Sequence, residues 1–130
     1  MTIVKFKRNR VRRNYLGGKG IDLLQGNFSA EDSERPEEWI ASMITANNQG
    51  LVPIEGEGLS IIEANQSFID LIRENPVKYL GEKHYEQYGL NLGFLMKLLD
   101  SSMRLHTQAH PTREFAKTYM DSEWGKFEAY

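Results

Sequence analysis

The chain of 130 residues contains no cysteine, which rules out disulfide staples, thiolate nucleophiles and every zinc site built on sulfur. Any metal it holds must be bound through nitrogen and oxygen. No stretch approaches the roughly 20 consecutive apolar residues that span a bilayer, and the basic start is not followed by the apolar core of a signal peptide. These two absences lead us to expect no membrane partner and a cytoplasmic location. The charges nearly cancel, 16 Lys and Arg against 18 Asp and Glu for a net of -2, so no overall basic field argues for nucleic acid. Although the chain has 11 glycines, neither the P-loop pattern nor the dinucleotide fingerprint is among them.

What is present is ordinary for a globular protein: 40% hydrophobic and 26% charged residues suffice for one domain over residues 1–130 with one core. Lys5, Lys7, Arg8, Arg10, Arg12 and Arg13 crowd the beginning. Such a cluster either attracts an anion or acts as an edge strand whose charges discourage edge-to-edge pairing. Tyr15-Leu16-Gly17-Gly18-Lys19-Gly20 reads as a turn, with a second break at Gly26-Asn27. Phe28 to Pro36 reads as a loop, and Pro36-Glu37-Glu38 opens a turn or strand leading to Trp39, a core or cleft-wall residue. Asn47 to Gly58 is rich in amides and glycine and reads as a loop, a lid or an insertion. Ser60 with Glu63 predicts a capping box that opens a helix ending before Pro76. His84 is expected in a surface loop.

Chemical content concentrates in Phe94 to Tyr130. Phe94 to Leu99 has the pattern of a buried strand, Asp100-Ser101-Ser102 of a turn, and Met103 to His110 of a returning strand, together predicting a β-hairpin. Alternation would place Arg104, His106, Gln108 and His110 on one face and Met103, Leu105, Thr107 and Ala109 on the other. Pro111 ends the pairing, and Thr112 to Met120 carries a short helical pattern. Lys126 and Glu128 then share a face of a further strand. Gln108, His110 and Glu128 offer an amide, an imidazole and a carboxylate, a donor set suited to Zn²⁺. The same residues also suit a polar, partly wet sheet face with its hydrogen bonds satisfied.

Three segments, Phe94-Leu95-Met96-Lys97-Leu98-Leu99, Leu105-His106-Thr107-Gln108-Ala109-His110-Pro111 and Gly125-Lys126-Phe127-Glu128-Ala129, taken in order, resemble the metal-site signature of type I mannose-6-phosphate isomerases, also called phosphomannose isomerases. Tyr15 to Lys19 and Pro36 to Ser42 are similar, more loosely, to that family's amino-terminal segments. The resemblance implies a mainly β, cupin-type (jelly-roll) fold with a helical insertion. It implies zinc held by Gln108, His110 and Glu128, and a sugar phosphate contacted by Lys97 and His106. Lys126 would be the catalytic lysine that stabilises developing charge during interconversion of mannose 6-phosphate and fructose 6-phosphate. His106 stands where the family commonly has serine, and Gly17-Gly18 lacks the tryptophan often found before the family's glycine. The family's fourth ligand, a histidine, and its cleft arginine lie further downstream than Tyr130, so the barrel is expected to be incomplete here and its open sheet edge available for self-association. The alternatives are a cupin-like module that binds metal or sugar phosphate without turnover, and an interaction domain that uses the basic start.

Overall fold

A computed structural model describes residues 3–126. Within them lie β1 (Arg10–Val11), α1 (Gly20–Leu24), β2 (Glu37–Ile40), α2 (Phe68–Glu74), α3 (Pro76–Leu80), α4 (Glu82–Tyr88), β3 (Met96–Leu99) and α5 (Arg113–Tyr119). The strands form one antiparallel sheet in the order β1-β2-β3, with Arg10 opposite Glu38 and Trp39 opposite Lys97. Three strands of two to four residues beside five helices of five to seven residues do not make the described residues mainly β.

Beside the sheet, Ile62, Phe68 and Ile72 form a buried cluster closed by Val4, Phe6, Leu71 and Leu80. The Phe6 ring meets the Phe68 ring edge-on, with centroids 5.0 Å apart and planes at 82°, a geometry that suits the aromatic quadrupole. Among the described residues no helix is long and apolar enough to cross a membrane.

Two sequence expectations are corrected here. The helix begins at Phe68, not near Ser60, because Ser67 is the residue whose hydroxyl accepts the Asp70 N–H at 3.2 Å. Ser60 is 1% exposed and its hydroxyl is already committed: it accepts the Ser42 N–H at 2.9 Å and the Asn9 amide at 3.2 Å. The following residues are extended, Ile62 bridging to Phe6 and Ile61 to Ser67. The helix does end before Pro76, which opens α3 under an Asn75 cap. His84 sits in α4 rather than a loop, with Nε2 2.7 Å from the Asn91 carbonyl oxygen.

The β-hairpin also fails to form. β3 pairs with β2, and residues 103–108 are not in a strand. The chain leaving β3 is captured by the Gly-rich turn instead. Gly18 N–H donates to the Asp100 carbonyl at 3.1 Å, Gly20 N–H to the Asp100 carboxylate at 2.5 Å, and Ser102 N–H to the Leu16 carbonyl at 3.1 Å. Gly17 packs so tightly that a Cβ there would lie 2.5 Å from the Pro36 Cα, and this close approach is what the glycine permits. Nor is the run before the turn buried: Phe94 is 64% and Met96 54% exposed.

Candidate functional site

The centre of the site is a buried carboxylate. Alternation along β2 puts Glu37 and Trp39 on one face, and Lys97 joins them because it stands opposite Trp39 in the β2–β3 register. Glu37 is 2% exposed. Its Oε1 accepts from the Tyr15 hydroxyl at 2.7 Å and from Lys97 Nζ at 3.1 Å, while its Oε2 accepts from the Trp39 indole N–H at 2.7 Å. Arg13 Nε stands 3.7 Å from Oε1, within ion-pair range.

Burial pushes the Glu37 pKa up, but the Trp39 and Tyr15 donors and the Lys97 ammonium outweigh it, so the carboxyl titrates below its ordinary value of 4.5. The group is therefore a fixed anion at neutral pH, and it anchors the cations around it.

Lys97 and a further cation, Lys126, define the chemistry. Lys126 Nζ lies 3.5 Å from His110 Nε2. Burial lowers the Lys126 pKa, and the neighbouring charge of Lys97 lowers it further, as does Arg13, against the opposing pull of Glu37. Burial, then Lys126 and Lys97, also lowers the His110 pKa. A neutral imidazole keeps a lone pair to donate, the form a metal requires. Lys97, Lys126 and His110 thus share one electrostatic environment.

The remaining expected residues are placed less closely. His106 is exposed and Gln108 half-buried, while Glu128 lies outside the described residues. Among the described residues no three His, Asp or Glu side chains gather to hold a metal. In donor chemistry, a neutral imidazole and an amide oxygen, as His110 and Gln108 offer, suit a borderline cation. The Lys126 ammonium beside His110 Nε2 opposes one, so it would have to move aside.

Sequence reasoning missed Glu37, Tyr15 and Arg13. The signal was there: Glu37 lies two residues before Trp39, and a strand turns both to the same side. Around this face a second strap holds the loop between β2 and α2. The Arg12 guanidinium donates to both Glu57 oxygens at 3.1 Å and to the Val52 carbonyl at 2.9 Å.

The family model described as phosphomannose isomerase type I, catalytic domain, matches residues 55–129. That span holds Lys97, His106, Gln108, His110, Lys126 and Glu128, whereas Arg13, Tyr15 and Glu37 precede it. No curated protein and no solved structure matches the chain.

Proposed function

We propose that this chain, which belongs to the type I phosphomannose isomerase family, carries the metal-binding and cation-lined part of a cytoplasmic aldose–ketose isomerase. The cupin-type domain to which it would contribute interconverts mannose 6-phosphate and fructose 6-phosphate. The observation that supports this reading is the gathering of Lys97, Lys126 and His110, all within the matched span, about the buried Glu37 that precedes it.

Each residue then has a task that follows from its surroundings. Glu37, held by Tyr15 and Trp39, fixes the Lys97 ammonium, and a fixed cation binds an anionic sugar phosphate without reorganising. Lys126, whose charged form is disfavoured by burial and then by Lys97 and Arg13, gains from an anion nearby. It therefore interacts more strongly with the negative oxygen of an enediolate than with the neutral sugar, the differential that lowers a barrier. His106, exposed on the same segment, would contact substrate. Gln108, His110 and Glu128 would hold zinc, which when bound supplies Lewis-acid polarisation of the sugar oxygens.

The test combines a coupled assay for fructose 6-phosphate with elemental analysis after zinc loading. We expect turnover that Lys126→Met abolishes. We also expect metal that His110→Ala removes and Lys126→Met retains at least as tightly, since a competing cation is gone. Ligand binding without product would assign the chain to a non-catalytic module, and metal content indifferent to His110→Ala would overturn the site.

A further inference from the structure

We propose that a small polar cavity at Arg13 is the subsite for the phosphate group of the ligand, which deepens the isomerase reading above and rests on it. The cavity measures about 230 Å³ and is lined by Arg13, Asn14, Asn47, Asn48 and Gln49. The lining residues carry one guanidinium and four carboxamides and no acid, with the Asn48 NH₂ already donating to Glu57 at 3.4 Å. That lining suits a small oxygen-rich anion, and the volume is below the roughly 300 Å³ at which drug-sized sites begin.

Arg13 is both fixed and under-used. Its backbone N–H donates to the Glu34 carbonyl at 3.1 Å, and its Nη1 donates to the Asn48 side-chain oxygen at 2.9 Å and the Asn47 carbonyl at 3.5 Å. Its Nε, by contrast, is buried yet makes no hydrogen bond among the described residues, the nearest acid oxygen being Glu37 Oε1 at 3.7 Å. Buried donors are nearly always satisfied, so an orphan on a guanidinium invites an absent acceptor. The neighbouring arginine offers a contrast: Arg12 uses its Nε and Nη2 on Glu57 and Val52.

Charge points the same way. Glu37 already accepts from Tyr15, Trp39 and Lys97 at hydrogen-bond distance, so its single negative charge is compensated before Arg13 is counted. Arg13 is then a further cation beside a carboxylate whose charge Lys97 already meets. A phosphate monoester dianion is the small ligand group that best meets a planar guanidinium fork with amide donors around it. The arrangement would seat a sugar phosphate with its anionic end at Arg13 and its reacting end by Lys126 and His110, Lys97 lying between.

The experiment is an amide-detected NMR titration of the 130-residue chain with inorganic phosphate, repeated with mannose and mannose 6-phosphate. We expect the side-chain amide signals of Asn14, Asn47, Asn48 and Gln49 to move with phosphate and mannose 6-phosphate but not with mannose. Losing charge-assisted bonds in Arg13→Gln should weaken phosphate by about tenfold or more. Arg8→Gln, an equal charge change elsewhere in the basic start, should leave it unchanged. Asn14→Ala with Gln49→Ala removes two exposed side chains, so it tests the pocket even if Arg13→Gln fails to fold; a loss of about threefold is expected. Equal weakening by Arg8→Gln, shifts confined to residues around Lys126, or equal shifts with mannose would each overturn the subsite. Zinc content that ignores His110→Ala, with these phosphate results intact, would instead remove the isomerase reading and leave an anion site.

Discussion

Replacing Glu37 by glutamine keeps the volume of the side chain and removes its charge. In the native protein every polar neighbour of that carboxylate is a donor: Tyr15 and Lys97 at Oε1, Trp39 at Oε2. A glutamine placing its oxygen where Oε1 stood would turn its NH₂ against the Trp39 N–H, and the opposite orientation would turn it against Tyr15 and Lys97. The first orphans the buried Trp39 N–H; in the second the Tyr15 hydroxyl can turn and accept from the NH₂, but Lys97 loses its acceptor. Trp39 and Tyr15 are 5% and 8% exposed, so water cannot replace the lost acceptor. Lys97, at 26% side-chain exposure, can rehydrate, and its share is discounted accordingly. One charged hydrogen bond at about 1.5 to 3 kcal/mol plus an unsatisfied donor at about 1 to 3 kcal/mol gives a cost of about 3 kcal/mol. For a domain of this size that is a fall in Tm of about 10 °C. Urea denaturation followed by Trp fluorescence, run from pH 3 to 8, reads it. The Glu37 pKa is lowered in the folded state, so its stabilisation is present above the unfolded value of 4.5 and is lost as pH falls through the folded one. The gap between wild type and variant should therefore be full above about pH 5 and shrink toward pH 3. A loss below about 1 kcal/mol, or a gap that widens in acid, would refute the hub.

Glu57→Gln removes the charge behind the two guanidinium contacts by which Arg12 holds Glu57 in the loop between β2 and α2. Limited proteolysis should then cut within residues 47–58 several times faster, and equal rates would mean the strap does not hold the loop. Gly58→Ala must place a Cβ 2.7 Å from the Trp39 ring and 2.8 Å from the Ala46 nitrogen at a φ of +96°. Overpacking together with the backbone penalty should cost about 3 kcal/mol in urea unfolding, and a near-neutral variant would show that the Trp39 wall yields. Thr112→Ala removes the cap that accepts the Phe115 N–H at 3.2 Å. It should cost about 1 kcal/mol, with Thr112→Ser restoring most of it.

Short-range chemistry was legible. The helix of Arg113–Tyr119 follows its Thr112 cap, the strand at Glu37–Ile40 follows Pro36, and the residues between Asn47 and Gly58 form no helix or strand. What failed depended on distant partners. Ser60 and Ser67 both head a pattern that opens a helix, and nothing local distinguishes them. The choice falls on Ser67 because Asn9, Ser42 and Phe6 claim Ser60 and Ile62. Likewise the alternation from Met103 to His110 is present in the residues, but a strand needs an edge to pair with. β3 keeps an outer edge beyond its pairing with β2, but Gly18, Gly20 and Leu16 divert the chain that leaves it before it can return along that edge. Of the expected site, Lys97, His110 and Lys126 come into one environment, while His106 stands exposed.

The same period-2 rule that overreached at Met103 to His110 would have succeeded at Glu37-Glu38-Trp39, where it puts a carboxylate beside an indole on the central strand. Burying that charge is costly, and a buried ion pair is weak evidence for stability, since well-packed apolar residues often do as well or better. A leucine at Glu37 would spare the strand its desolvation penalty but would take from Trp39 its acceptor and from Lys97 its ion-pair partner. The arrangement is better explained by what it holds than by what it stabilises. The sheet carries a fixed anion so that Lys97, Lys126 and Arg13 can stand close together without driving one another apart, and a region so charged gains from binding a further anion.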